Sequence, residues 1–166
     1  LGPLGDTWIF DACISRWRVN PDFSGFGPPA ARFDHAAAVM RAPKIKGNFD
    51  VPNGDLLYVH GGRTSKYVTS DTTVLGDLWW LDLNTGGWFR ITIRSWARPP
   101  ARFGHAMVLD ADADGSGHRL FIFGGQSTSG VYLNDMWVFH PEDKSYLQVL
   151  PRTKTRPSER AIHELD

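Results

Sequence analysis

The chain has 166 residues, 42% hydrophobic and 13% aromatic with seven Trp, which is the composition of a globular domain and excludes a disordered segment. Eighteen basic and eighteen acidic side chains cancel to a formal net charge of zero, removing the cationic surplus that nucleic acid or an anionic membrane would attract. No apolar run approaches the roughly 20 residues that span a bilayer, and the single cysteine, Cys13, excludes an internal disulfide. The lack of any Asn-x-Ser/Thr acceptor, like the lone cysteine, leans toward an intracellular setting and leaves the compartment open.

Taken in chain order, the first signal is Asp6-Thr7-Trp8, followed by a lone aromatic, Trp17. Arg32-Phe33-Asp34-His35 then runs into the small and apolar Ala36–Val39. Beyond a long stretch, Arg41–Asp55, with Pro43, Lys44, Lys46 and Pro52, an apolar run from Leu56 ends in the double glycine Gly61-Gly62. Asp77-Leu78-Trp79 and Trp88 restate the opening pair. Arg102-Phe103-Gly104-His105, the run Leu120–Phe123 closed by Gly124-Gly125, Asp135-Met136-Trp137 and Tyr146 repeat the whole series. Arg160-Ala161-Ile162-His163 begins it once more.

The intervals make this a repeat. In all three copies the Trp of Asp-x-Trp precedes the lone aromatic by nine residues, and from that aromatic to the next Arg is 15, 14 and 14. The other intervals vary: Arg to the second Gly is 30 and then 23, and that Gly to the next Asp is 15 and then 10. Two constant and two variable connections suit four short strands with loops that accept insertions. The segments are rich in β-branched and aromatic residues and bounded by Gly, Pro, Asn and Asp, as strands are. Leu56–Val59 and Leu120–Phe123 are apolar at consecutive positions, so both faces are expected to be buried. The double glycine lets the chain take positive φ and another backbone approach closely. The Asp before the third strand is expected to accept backbone N–H groups in a turn.

Arg-x-x-His, a strand ending Gly-Gly, Asp-x-Trp and a trailing aromatic together resemble the kelch family, in which one such unit is one blade of a propeller. The copies here are 70 and 58 residues long by Arg-to-Arg spacing, and they depart from the family in Tyr146, where Trp is usual, and in His140-Pro141, where Asp11 and Asp82 stand in the other copies. The expected fold is all-β, a kelch-type β-propeller segment with two complete four-stranded blades plus parts of two flanking blades. Residues 1–19 supply the outer strands of a preceding blade, 20–97 and 98–155 the two complete blades, and 156–166 the first strand of a following one. A closed ring needs about 300 residues or more. The chain is therefore expected to belong to a longer polypeptide, with closure by several copies about one axis as the alternative.

His35, His105 and His163 occupy one repeat position and so stand on successive blades, which points to packing and not to a shared metal. His60 lies in an apolar strand and reads as a core histidine. Asp110, Asp112 and Asp114, followed by Gly115, form a weak calcium candidate, since alternating carboxylates can converge on a hard cation. Phe121 occupies the place of the closing glutamate, so a solvated hairpin is the favoured reading. No Ser–His–Asp order or nucleophile elbow is visible, and the ligand set that a galactose-oxidase resemblance implies is not matched, so no cofactor and no enzyme activity are expected.

The resemblance implies a protein-interaction propeller. Its strand 2–3 loops (63–75 and 126–133) and its links between blades (20–31, 92–101 and 151–159) would share the rim that grips partners. Arg63, Lys66, Tyr67, Arg94, Trp96, Gln126 and Tyr132 are the candidate contacts, because aromatic and Arg side chains dominate interface anchors. Arg32, His35, Gly61, Gly62, Asp77, Trp79, Trp88, Arg102, His105, Gly124, Gly125, Asp135 and Trp137 are read as structural. The expected partners are other proteins, as subunits of a larger assembly, with no nucleic acid and no membrane insertion. Substrate recognition for a ubiquitin ligase is the alternative, and a propeller enzyme the second. The insertion Arg41–Asp55 reads equally as a clamp on a neighbour or as elaboration.

Overall fold

The computed structural model describes residues 3–20, 27–41, 54–65, 73–111, 118–150, 152 and 158, and among them every regular element is a β-strand. β1 (Trp8–Asp11) and β2 (Arg16–Val19) form an antiparallel hairpin. β3 (Ala36–Met40), β4 (Leu56–Arg63), β5 (Val74–Asp82) and β6 (Trp88–Arg90) make a four-stranded antiparallel sheet in the order β3-β4-β5-β6. β7 (Arg102–Phe103) pairs with β10 (Gln126–Ser127), while β8 (Ala106–Ala111), β9 (His118–Phe123), β11 (Met136–His140) and β12 (Ser145–Val149) form a second four-stranded sheet, β8-β9-β11-β12. These are the two complete blades, each with its strands in sequence order. The hairpin is the outer half of another. The first-strand signal Arg160 to His163 and the insertion residues Lys44 and Lys46 lie outside the described residues.

Alternation of side chains builds the core. In β4 and β5, Leu56, Tyr58, Leu78 and Trp80 face the second blade, where Leu120, Ile122, Trp137, Phe139 and Tyr146 meet them in one cluster with Met40 and Ile91. The opposite face of the first blade holds Val59, Leu81 and Trp88, with Leu57 and Trp79 against them. β4 is thus covered on both sides, as expected. β9 is not: Leu120 and Ile122 are buried, but Phe121 and Phe123 are only half-buried, because their face points away from the first blade. The expectation of two buried faces fails there because burial depends on a sheet on each side, not on the strand's own residues.

Each double glycine is left-handed, with φ +64 and +100 at Gly61-Gly62 and +66 and +95 at Gly124-Gly125. The two glycines do different things. A Cβ on Gly61 would lie 2.5 Å from the Arg102 carbonyl oxygen and 2.9 Å from His105 Cε1, both in the next blade. A Cβ on Gly62 would lie 2.7 Å from the Phe33 carbonyl oxygen, and one on Gly125 2.7 Å from that of Phe103, each in its own blade. The first glycine admits the neighbouring blade and the second admits the blade's own first strand. The strand 3–4 turn is fixed by carboxylates: Asp82 accepts the Asn84 and Thr85 N–H groups, Asp11 those of Cys13 and Ile14. Where His140-Pro141 replace that Asp, Asp143 accepts from the Ser145 N–H at 3.1 Å.

Candidate functional site

The repeated Arg and Asp are partners. Arg32 donates from Nη1 and Nη2 to the two Asp77 carboxylate oxygens at 2.8 and 3.0 Å, from Nη1 to the Gly61 carbonyl at 2.9 Å and from Nε to that of Ala30 at 3.0 Å. Arg102 repeats this with Asp135 at 2.8 and 2.8 Å, Gly124 at 2.9 Å and Pro100 at 3.1 Å. The indole N–H groups of Trp79 and Trp137 complete the two carboxylates at 2.6 and 2.7 Å. One guanidinium therefore ties the incoming link, the end of strand 2 and the start of strand 3. The expectation that this Asp accepts backbone N–H groups holds for its own N–H, and its main partner is Arg: a two-residue bulge, Gly76-Asp77 opposite Gly61, accompanies the turn of the carboxylate toward Arg32. Burial opposes ionisation, but hydrogen bonds from Arg and Trp hold both carboxyls below the ordinary range. The signal was present in sequence as one Arg and one Asp per unit.

Two histidines from different motifs also meet. His60 Nδ1 and His105 Nε2 are 2.9 Å apart across the seam between the blades, so a single proton lies between them. Burial, then the Arg102 and Arg32 charges for His60, and the neighbouring His60 and Arg102 for His105, push both rings well below the ordinary histidine range, leaving the pair neutral. The second blade has Phe123 where the first has His60, so this pairing belongs to one seam. His35, exposed beside Arg32, also has its pKa lowered, by desolvation and by that guanidinium.

The candidate contact residues separate into groups. Arg63 is engaged: it donates to Asp34 at 2.6 Å from Nε and lies over the Phe103 ring at 4.6 Å. Gln126 donates to the Gly130 carbonyl at 2.6 Å inside its own loop and bridges to Tyr132, which is 44% exposed. Lys66 and Tyr67 lie outside the described residues. Arg94 and Trp96 sit elsewhere. The Arg94 N–H donates to the Lys144 carbonyl at 2.9 Å and the Tyr146 N–H to Ser95 Oγ at 2.9 Å, placing this link beside the β11–β12 turn. That turn follows His140, whereas Gln126 and Tyr132 belong to the connection that enters β11 at Met136, the other end of the strand. Trp96 is 100% exposed. Asp110 of the calcium candidate is bound by Arg119 at 2.7 Å, and Asp112 and Asp114 lie outside the described residues.

Two cavities flank these features. One, of about 260 Å³, lies between the N-terminal segment and the back of the first blade, against Asp6, Trp8, His35, Val59 and Trp88. The other, of about 290 Å³, opens at the outer side of the seam against Leu78, Arg90, Ile91, Ile93, Arg98 and Tyr146. Arg90 and Arg98 were not singled out in the sequence, although the complete lack of Asp and Glu between Asp82 and Asp110 marks the segment as cationic.

Four-stranded sheets in sequence order, stacked face to face with an Arg–Asp–Trp clamp and a double glycine in each, define blades of a kelch-type β-propeller. The profile of the KLHDC2/KLHL20/DRC7 Kelch-repeats domain matches residues 50–165, and the chain belongs to this kelch-repeat family. Human Kelch domain-containing protein 1 is 31% identical over 153 residues, 92% of this chain and 31% of that protein. The tRNA wybutosine-synthesizing protein 4 of Emericella nidulans is 31% identical over 139 residues, 82% of this chain and 11% of that protein. The solved structure of YjhT shares the fold at TM-score 0.52 and 16% identity, over 87% of this chain and 44% of that one. The chain thus spans less than a third of either curated relative. Protein interaction is the typical role of kelch-repeat propellers.

Proposed function

We propose that this segment serves as a non-catalytic part of a protein-binding propeller, within a larger protein or a multi-subunit assembly. The observation that carries the reading is the contrast between an interior whose charged groups are spent on one another and loops that present large side chains to solvent. Arg32, Arg102, Asp77 and Asp135 are joined in clamps, whereas Trp96 is fully exposed and Tyr132 nearly half exposed. An indole held in water on a hydrogen-bonded loop is the kind of anchor that binding buries. Affinity purification of the full-length protein tests this. The wild type should carry a stoichiometric protein partner, and a variant with Trp96→Ala and Tyr132→Ala should lose it while melting at the same temperature. A partner-free monomer with catalytic turnover would contradict the reading.

A further inference from the structure

Resting on that interaction reading, we propose that the seam cavity under the Ile91–Arg98 link is the binding site for an acidic segment of a partner protein, whose side-chain carboxylates bind Arg90 and Arg98 and whose apolar residues cover Trp96.

Four observations converge. The first is charge. From Leu83 to Leu109 the sequence holds Arg90, Arg94, Arg98 and Arg102 and no Asp or Glu. Arg102 is committed to Asp135, but Arg90 and Arg98 are exposed, line the cavity and have no acidic partner among the described residues. The second is the wall. Ile91, Ile93 and Leu78 give it an apolar side next to its polar groups, so a carboxylate entering it meets guanidinium groups in partly desolvated surroundings, where charge-assisted hydrogen bonds are strengthened. The third is Tyr146, which lines the same cavity, is 5% exposed and packs its ring against Phe139, giving the cavity a fixed aromatic floor. Asp77 also lines the cavity, but its carboxylate is bound by Arg32 on both oxygens and does not repel an anion as an isolated charge would.

The fourth is rigidity. Ser95 Oγ accepts the Tyr146 N–H and donates to the Ala97 carbonyl at 2.8 Å, while Arg94 is tied through its N–H to Lys144. The loop holding Trp96 is thereby fixed to the second blade, and little ordering is left for binding to impose. Glu142 and Asp143 stand in the β11–β12 turn outside the cavity lining, and Asp143 is occupied by Ser145.

The test uses the full-length protein and a peptide of alternating Glu and Leu, acetylated and amidated at its ends, read by fluorescence anisotropy of a label. Saturable binding is expected that weakens at high salt and disappears when Glu is replaced by Gln. Arg98→Gln should weaken it about tenfold or more, and Trp96→Ala several-fold. Tyr132→Ala should leave it unchanged. Thermal melts of the Arg98→Gln and Trp96→Ala variants should match the wild type, since both side chains are exposed. No saturable binding to the blocked peptide, equal binding by the Arg98→Gln variant, or binding only by a peptide with a free C-terminal carboxylate would overturn the proposal. If the native partner is retained by Arg98→Gln and lost by Tyr132→Ala, the interaction reading stands and this site falls.

Discussion

The hairpin β1–β2 and the second blade carry the same sequence signals and treat them differently. In the second blade Asp135 binds both Trp137 and Arg102, Trp137 is 6% exposed and Tyr146 5%. In the hairpin Asp6 still accepts the Trp8 indole N–H at 2.5 Å, but Trp8 is 51% exposed and Trp17 64%. The difference is the absence, among the described residues, of an arginine bound to Asp6 and of inner strands paired with the hairpin. The motif fixes local geometry alone; burial comes from the inner strands and the adjoining blade.

The largest way to break this comparison is to remove the clamp cation. Arg102→Met in the 166-residue chain leaves Asp135 partly buried and unpaired, and should cost roughly 3–5 kcal/mol by urea unfolding. Next is Gly61→Ala, which places a methyl 2.5 Å from the Arg102 carbonyl oxygen at φ +64 and should cost about 2 kcal/mol or more. Gly130→Ala, at φ +78 with nothing nearer than 3.8 Å, isolates the backbone part of that cost at about 1 kcal/mol. Equal losses at the two glycines would remove the close approach of the blades from the account.

The histidine pair adds a pH dependence. His60 and His105 stay neutral when folded, their affinity for protons lowered by burial, while the unfolded chain takes up protons at the ordinary histidine pKa of 6.5. The stabilisation is full above that pH and is lost as pH falls below it, by about 2 kcal/mol for the two rings between pH 6.5 and 5.5. The depressed Asp77 and Asp135 add a further loss only near and below their unfolded value of 3.8. Urea midpoints measured from pH 7.5 to 5 check this, and His60→Phe should flatten the slope. The smallest effect is expected at the hairpin, where Asp6→Ala should change stability by no more than about 0.5 kcal/mol.

Much of the fold was legible because the repeat spaced its markers evenly: nine residues from Trp79 to Trp88 become β5, a tight turn and β6. Pairing between markers was less so. That the main partner of Asp77 is Arg32 goes with a bulge that sequence does not announce. That His60 meets His105 depends on Gly61 admitting the next blade, a property of stacking and not of either motif. The rim residues were named by residue type, and type does not separate Arg63, spent on Asp34 and Phe103, from Trp96, which touches only water.

Native-state hydrogen exchange tests the shared seam most directly. Tyr58 and Trp80 of the first blade and Ile122 and Phe139 of the second lie in one buried cluster, so amides in the centres of β4, β5, β9 and β11 should open together with a single free energy. Exchange of β9 and β11 at a free energy clearly different from that of β4 and β5 would mean blades that fold separately, and would contradict the account.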